Sequence, residues 1–344
     1  MSIAPLLNRD DFVIRAAESV EEVSTLWWPL MKELGWVRYS SLSHDPQMHQ
    51  NDLPTDISKN RDQDDGPTHY HAAGDGKNWL MVVPKETGKP EGCIVAFTYP
   101  NNTGFVGYFL MNKEFRGRGW GADLFRELLA SFKASNTIYV GLDGVEEQVN
   151  TYKRRGFETA ATIKLATRPS IVEKPKTVEL VELVEGEQVV DIKGIDPELL
   201  ARLDLAHTGF YRPAYWSQKG LLSRKDAYGY ALLSTAQDEP KLAGYVLVRR
   251  CQEGHRFGPL YAETYEQARF LLWKAMEALT GNGSMIAEIY GSNPQGLKVF
   301  EELGWKWAGL DYYRMWLSGK VPKEQQQSGK ATTGMFATFD ACAG

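Results

Sequence analysis

Thr103–Phe132 reads TGFVGYFLMNKEFRGRGWGADLFRELLASF. Phe105 to Met111 is an apolar run of β-branched and aromatic residues with no polar face, the mark of a strand buried on both sides. Asn112 to Phe115 is a short charged turn. Arg116-Gly117-Arg118-Gly119-Trp120-Gly121 follows, then a helix with apolar positions at Leu124, Phe125, Leu128, Leu129 and Phe132. In the order strand, glycine-rich turn, helix, the glycines let successive N–H groups face one concavity. The helix start adds unpaired donors and a positive dipole end. An anion of pyrophosphate size fits there without a lysine. The stretch is not the dinucleotide fingerprint, because it opens on arginine and lacks the acidic ribose-binding residue. Nor does it carry the Lys-Ser/Thr ending of a P-loop.

The 344 residues suggest two domains. An apolar share of 43% and a charged share of 24% fit a soluble globular chain. With 39 basic and 44 acidic residues the net charge is −5, so no basic field argues for nucleic acid or an anionic membrane. No apolar run reaches membrane-spanning length, and MSIAPLLNRDDF lacks the basic lead of a secretory signal. Three distant cysteines, Cys93, Cys251 and Cys342, point to a reducing compartment, and the expected location is the cytoplasm.

Phe12–Ala16 reads as a first strand, and Ser19 heads a helix ending at Leu34-Gly35. The polar-aromatic Trp36–His49 is a site-lining type of loop. Residues 51–78, rich in Asp, Asn, Gly and Pro, read as a mobile insertion. Its His69 and His71, with the neighbouring His44 and His49, lack a ligand frame, and no metal site is expected. Trp79–Val83 and Gly92–Thr98 read as paired strands, and Cys93 as core. Thr137–Gly141 is a strand stopped by a turn at Leu142-Asp143-Gly144. A helix from Glu146 to Arg155 ends at Gly156. Residues 169–193 read as a linker.

The second half then repeats the first. Strands are expected at Tyr228–Ser234, Leu242–Arg250, Phe257–Tyr261 and Met285–Ile289, with helices at Tyr265–Leu279 and Pro294–Leu303. The shift that carries Tyr152 onto Phe300 also carries Gly156 onto Gly304 and Thr137 onto Met285, which marks an internal duplication. In the second copy Gly258-Pro259-Leu260-Tyr261-Ala262-Glu263 stands where the glycine loop is expected. Proline removes a donor and glutamate opposes an anion. The polar, Gln- and Gly-rich 318–344 reads as a disordered tail.

Arg116–Gly121, preceded by Glu114-Phe115, resembles the coenzyme A loop of the GNAT acetyltransferase superfamily, Gln/Arg-x-x-Gly-x-Gly/Ala. Tyr152-Lys-Arg-Arg-Gly156-Phe157 is similar to that family's Tyr-x-x-x-Gly-Phe. Leu142-Asp143-Gly144-Val145 with Gln148 and Tyr152, and Glu33-Leu-Gly35-Trp36 followed by His44-Asp45, look like a subgroup with a divergent second acetyltransferase-like domain. The resemblance implies an α+β chain of two tandem GNAT-like domains, each a mostly antiparallel mixed sheet flanked by helices. The boundaries are 1–168 for the catalytic domain and 194–317 for the degenerate one.

It further implies acetyl-CoA as co-substrate, with Leu110 and Met111 on the pantetheine and Arg116, Gly117, Arg118, Gly119, Trp120 and Gly121 around the pyrophosphate. Tyr152 would donate a proton to the leaving sulfur. Asp143 is a candidate base, as are His44 and Asp45, which together with Tyr211 and Arg212 are candidate acceptor contacts. His207 and Phe210 neighbour them. The expected activity is direct N-acetylation of a small-molecule primary amine. A protein lysine or N-terminus as acceptor, and a non-catalytic acetyl-CoA-binding module, stand as alternatives.

Overall fold

The computed structural model describes residues 4–34, 62–170, 183, 186–234, 241–252, 254–279 and 283–344. His44 and Asp45 lie outside the described residues. The first unit runs β1 (Leu7–Asn8), β2 (Phe12–Ala16), α1 (Val20–Leu34), α2 (Asp65–Ala72), β3 (Trp79–Pro84), β4 (Gly92–Thr98) and β5 (Thr103–Met111). It continues through α3 (Trp120–Ala134), β6 (Tyr139–Val145), α4 (Glu146–Lys153) and β7 (Phe157–Arg168). The second unit runs β8 (Glu187–Asp191), α5 (Pro197–Thr208), β9 (Ala227–Ser234), β10 (Lys241–Cys251), β11 (Gly254–Ala262), α6 (Tyr265–Glu277), β12 (Met285–Tyr290), α7 (Gly296–Glu302) and β13 (Lys306–Leu317). The chain closes with α8 (Ala331–Gly334) and β14 (Met335–Ala337). The duplication is therefore visible element by element, and Gly156 and Gly304 both take positive φ (88° and 81°) after equivalent helices.

The described strands form one 14-stranded sheet in the order β1-β2-β3-β4-β5-β6-β13-β7-β12-β14-β11-β10-β9-β8. Its pairings are antiparallel except β5–β6 and β11–β12. Those parallel pairs need a crossover, which α3 and α6 supply. The two units also exchange strands. β13 of the second unit lies between β6 and β7 of the first, and β7 pairs in turn with β12.

One face of the first unit's sheet carries α3, whose Leu124, Phe125, Leu128 and Phe132 pack on Leu80, Val82, Ile94, Ala96 and Val106. The opposite face buries Trp27, Trp79, Phe97, Phe105 and Tyr108 with residues of the second unit such as Phe210, Tyr215 and Phe339. No helix among the described residues is long and apolar enough to cross a membrane.

Four expectations are corrected. Residues 62–78 are structured, and α2 forms from the poor helix sequence DGPTHYHA because Asp65 is gripped by Arg224 (2.7 Å) and Arg249 (3.1 Å) of the second unit. Burial would raise the Asp65 carboxyl, but these two guanidinium groups hold it well below the usual carboxylate range. Leu142-Asp143-Gly144 is the interior of β6, not a turn, because β13 pairs along it. The stretch read as a linker includes strand β8, paired with β9. The tail is folded: α8 and β14 form within it, and Thr338, Phe339, Asp340 and Cys342 are buried. Its composition misled because the polar half (318–333) precedes an apolar one, MFATFDACAG.

Candidate active site

After β5 the chain makes one 3-10 turn at Lys113–Phe115 and passes through Gly117 (φ 78°) and Gly119 (φ 84°) into α3. Both glycines are left-handed, which costs other residues about 1–2 kcal/mol. Nothing lies within 4 Å of a Cβ built on either, so the loop wraps an open hollow. Gly119 caps α3 without a side-chain bond to it, and while Ala122 N–H donates to the Gly119 carbonyl (3.0 Å), the Trp120 and Gly121 N–H groups remain for a ligand. The side chains brace the loop instead. Trp120 Nε1 donates to Asp11 (2.9 Å), and its ring packs on Phe12 and Phe115 at 5.0 and 5.5 Å. Arg118 covers the Phe115 ring (4.6 Å) and pairs with Glu86 (3.0 Å). Arg116 Nε donates to the Met111 carbonyl (2.9 Å). The structure thus brings Arg116–Gly121 together as a backbone-lined cradle whose shape fits a phosphate group.

Next to the cradle the sheet opens. β5 and β6 pair only at Thr103↔Tyr139, Gly104↔Val140 and Phe105↔Gly141, then diverge. The cause is a bulge. Val95 of β4 faces Gly107 while Cys93 faces Leu110, so β5 carries an extra residue, and Tyr108 takes φ 45°. Tyr108 is buried, stacked on Trp79 (5.4 Å) and edge-on to Trp27 (5.7 Å). Phe109 emerges on the α3 face against Phe125 (5.7 Å). Leu110 and Met111 pair with β4 and present an edge without a β6 partner to the notch. Cys93 is core, as expected, and burial pushes its thiol up to about 12.

Tyr152 of α4 leans on β6 beside this notch. Its ring lies against Gly144, where a Cβ would come within 2.9 Å, and sits 6.2 Å from Phe125 and 6.4 Å from Phe157. Among the described residues nothing hydrogen-bonds its hydroxyl. Burial pushes the phenol up to about 12, against the pull of the Arg155 cation, so it is protonated at neutral pH and able to donate. Arg155 itself lies over the Phe125 ring at 4.7 Å.

The other expected residues that the structure describes do not join this group. Asp143 is fully buried in a two-pronged pair with Arg314 of β13, Nε at 2.5 Å and Nη2 at 2.7 Å. Burial pushes its carboxyl up and Arg314 pulls it down. With both oxygens occupied, it fastens β13 to β6 and is not placed as a free base. Arg212, expected at the acceptor, is buried too. It pairs with Asp204 (2.6 Å) and donates to the main-chain oxygens of Ala343 (2.9 Å) and Gly344 (2.6 Å). Tyr211 donates to Glu198 (2.7 Å). His207 stacks on Tyr261 at 4.8 Å with Nδ1 on the Leu203 carbonyl, and burial lowers it to about 4. Phe210 is core between Phe105 and Trp316.

In the second unit the corresponding notch is filled. β11 and β12 pair at His255–Phe257 and then part, and β14 enters the gap, joining Leu260 and Tyr261 to Ala337 and Met335, and Ile289 to Ala337. Gly258–Ala262 lie inside β11, so the counterpart of the glycine loop is Glu263-Thr264. There Thr264 and Gln267 form a capping box that already satisfies the start of α6.

Comparison with known proteins agrees with this fold. Residues 43–157 match the model of the acetyltransferase (GNAT) family and 200–328 that of an acetyltransferase (GNAT) domain. This chain is a two-domain GNAT protein. A holothin acyltransferase from Pseudoalteromonas sp. (strain SANK 73390) is 27% identical over 179 residues, 51% of this chain and 53% of that protein, so the match spans about half the relative's length. A putative acetyltransferase from Pyrococcus horikoshii shares the fold with a TM-score of 0.66, at 19% identity and 98% coverage of each chain. A tandem GNAT protein from the clavulanic acid biosynthesis pathway shares it at 0.54, with 12% identity and coverage of 89% and 98%. Phe109, Arg155 and Gly107 were not singled out by sequence. Their only sequence signal was position, inside or beside the two motifs.

Proposed function

We propose that this GNAT protein is an acetyl-CoA-dependent N-acetyltransferase that acetylates a small-molecule primary amine by direct transfer, in the first unit only. The observation that carries the reading is the coincidence of an uncapped, glycine-lined helix start with a sheet edge that opens beside a protonated tyrosine. Acetyl-CoA supplies the acyl group as a thioester. The N–H groups of Gly117–Gly121 and the α3 dipole hold its phosphates, and the free edge of β5 from Val106 to Met111 offers main-chain hydrogen bonds to the pantetheine arm. Tyr152 donates its proton toward the departing sulfur. An alkyl amine has a pKa of about 10, and desolvation in the notch favours its neutral, nucleophilic form.

Release of free coenzyme A with a panel of primary amines tests the activity, and calorimetry tests the site. One acetyl-CoA per chain is expected, because β14 fills the second notch. Gly119→Asp, which sets a carboxylate and a Cβ against the phosphate, is expected to abolish binding. Two sites per chain, or unchanged binding in Gly119→Asp, refutes the reading.

A further inference from the structure

We propose that Thr338–Gly344 forms the wall of the acceptor end of the first unit's notch, with Cys342 as the side chain that sets which acceptors fit. This deepens the transferase reading and rests on it. The cradle, Phe109 and Tyr152 all belong to the α3 face of the sheet. An acyl donor anchored there leaves the opposite face for the amine, since a donor and an acceptor cannot share one side of a slot one strand wide. On that opposite face the tail crosses the bulge. The Cys342 carbonyl oxygen lies so close to Gly107 that a Cβ on Gly107 would collide with it. Tyr99 donates its hydroxyl to the Ala343 carbonyl (2.9 Å), and Arg212 binds the main-chain oxygens of Ala343 and Gly344.

The wall is fixed rather than a lid. Ala341 N donates to Glu288 (2.6 Å), Cys342 N to Asp340 (2.8 Å), and Arg249 reaches both the Phe339 carbonyl (3.1 Å) and Asp340 (3.4 Å). These groups are buried, so each is costly to release.

The duplication explains how one short segment comes to sit there. Gly258 lies in the β11 bulge, between the Val248↔Phe257 and Val246↔Leu260 pairs, and Gly107 borders the β5 bulge, opposite Val95. Gly258 abuts the Thr338 carbonyl oxygen as Gly107 abuts that of Cys342. The tail therefore bridges the bulge glycines of both units. It plugs the notch of the second with β14 and borders the notch of the first with Cys342.

Bromoacetyl-coenzyme A incubated with the full chain tests the placement. The Cys342 thiolate displaces bromide from the α-carbon of the bromoacetyl group: the S–C bond forms, the C–Br bond breaks, and the thiol proton passes to solvent. Peptide mass mapping is expected to find the adduct on Cys342 and not on Cys93 or Cys251, with acetyl-CoA suppressing it at least ten-fold. Cys342→Phe, shown to be folded by its melting profile, is expected to keep coenzyme Kd within twofold of wild type. It should cut kcat/KM at least ten-fold for tryptamine and less for ethylamine. Intact coenzyme binding with no adduct on Cys342 overturns the wall and leaves the transferase reading standing. Wild-type protein that does not bind acetyl-CoA overturns both.

Discussion

Tyr152→Phe separates proton donation from packing. The substitution removes one hydroxyl and keeps the ring against Gly144, Phe125 and Phe157. Because that hydroxyl has no hydrogen-bond partner among the described residues, stability should change by less than about 0.5 kcal/mol, and coenzyme Kd should hold. What disappears is a donor aimed at a developing thiolate. Hydrogen bonds to charged groups contribute about 1.5–3 kcal/mol, and preorganised donors in transition states up to about 4. At about 1.4 kcal/mol per decade, kcat should fall between roughly ten- and a thousand-fold. Single-turnover release of free thiol, at saturating acetyl-CoA and amine, isolates the chemical step from product release. The pH profile adds a second check. With the phenol at about 12, Tyr152 stays protonated through neutral and mildly alkaline pH, so no alkaline fall in rate below pH 10 should trace to it. A single-turnover rate within twofold of wild type would refute the donor role. An alkaline limb near pH 8 that vanishes in the variant would instead keep the donor role and refute the raised phenol pKa.

Two further outcomes test the reassigned residues. Asp143→Ala leaves Arg314 buried and unpaired, so it should cost about 3–5 kcal/mol of stability, read as a lowered urea midpoint. A stable variant that has lost only its rate would instead return Asp143 to the role of base. His207 should make the protein acid-sensitive: its folded pKa of about 4 lies below the ordinary 6.5, so the unfolded chain takes up the proton first as pH falls. Its contribution is complete above about pH 6.5 and drains away toward pH 4, about 1.4 kcal/mol of it between pH 7.5 and 5.5. His207→Phe, still able to stack on Tyr261, should flatten that part of the slope, and urea melts at the two pH values that show the same loss in both proteins would contradict the assignment.

Local chemistry made much of this chain legible. The buried run of β5, the glycines at positive φ and the apolar stripe of α3 are properties of neighbouring residues, and each was readable where it stands. So was the duplication, because Gly156 and Gly304 end equivalent helices under the same backbone demand. What was not legible depends on partners far away in sequence. Leu142-Asp143-Gly144 has the composition of a turn, and only pairing with β13 makes it strand. Asp65 sits among turn formers, and arginines roughly 160 and 185 residues later turn its segment into α2. Arg212 looked like a free cation beside a cleft, whereas Asp204 and the tail had claimed it.

The tail marks the difference between the two copies of the duplicated fold. Both units have a parallel strand pair that parts at a bulge, so both have a notch. In the first unit, Gly119 leaves the helix start without a side-chain cap, and among the described residues no strand enters between β5 and β6. In the second, Thr264 and Gln267 close the helix start and β14 zips into the gap. A strand in that gap satisfies the main-chain groups a coenzyme would otherwise meet, and the capping box removes the anion site. On the proposed function, these two changes would silence the second notch without altering the sheet around it. The sheet has to persist, because β13 closes the first unit between β6 and β7 and carries the Arg314 that Asp143 requires. The second unit is thus retained for what it builds around the first: a strand of its sheet, the arginine that neutralises its buried carboxylate, and the segment that walls its notch.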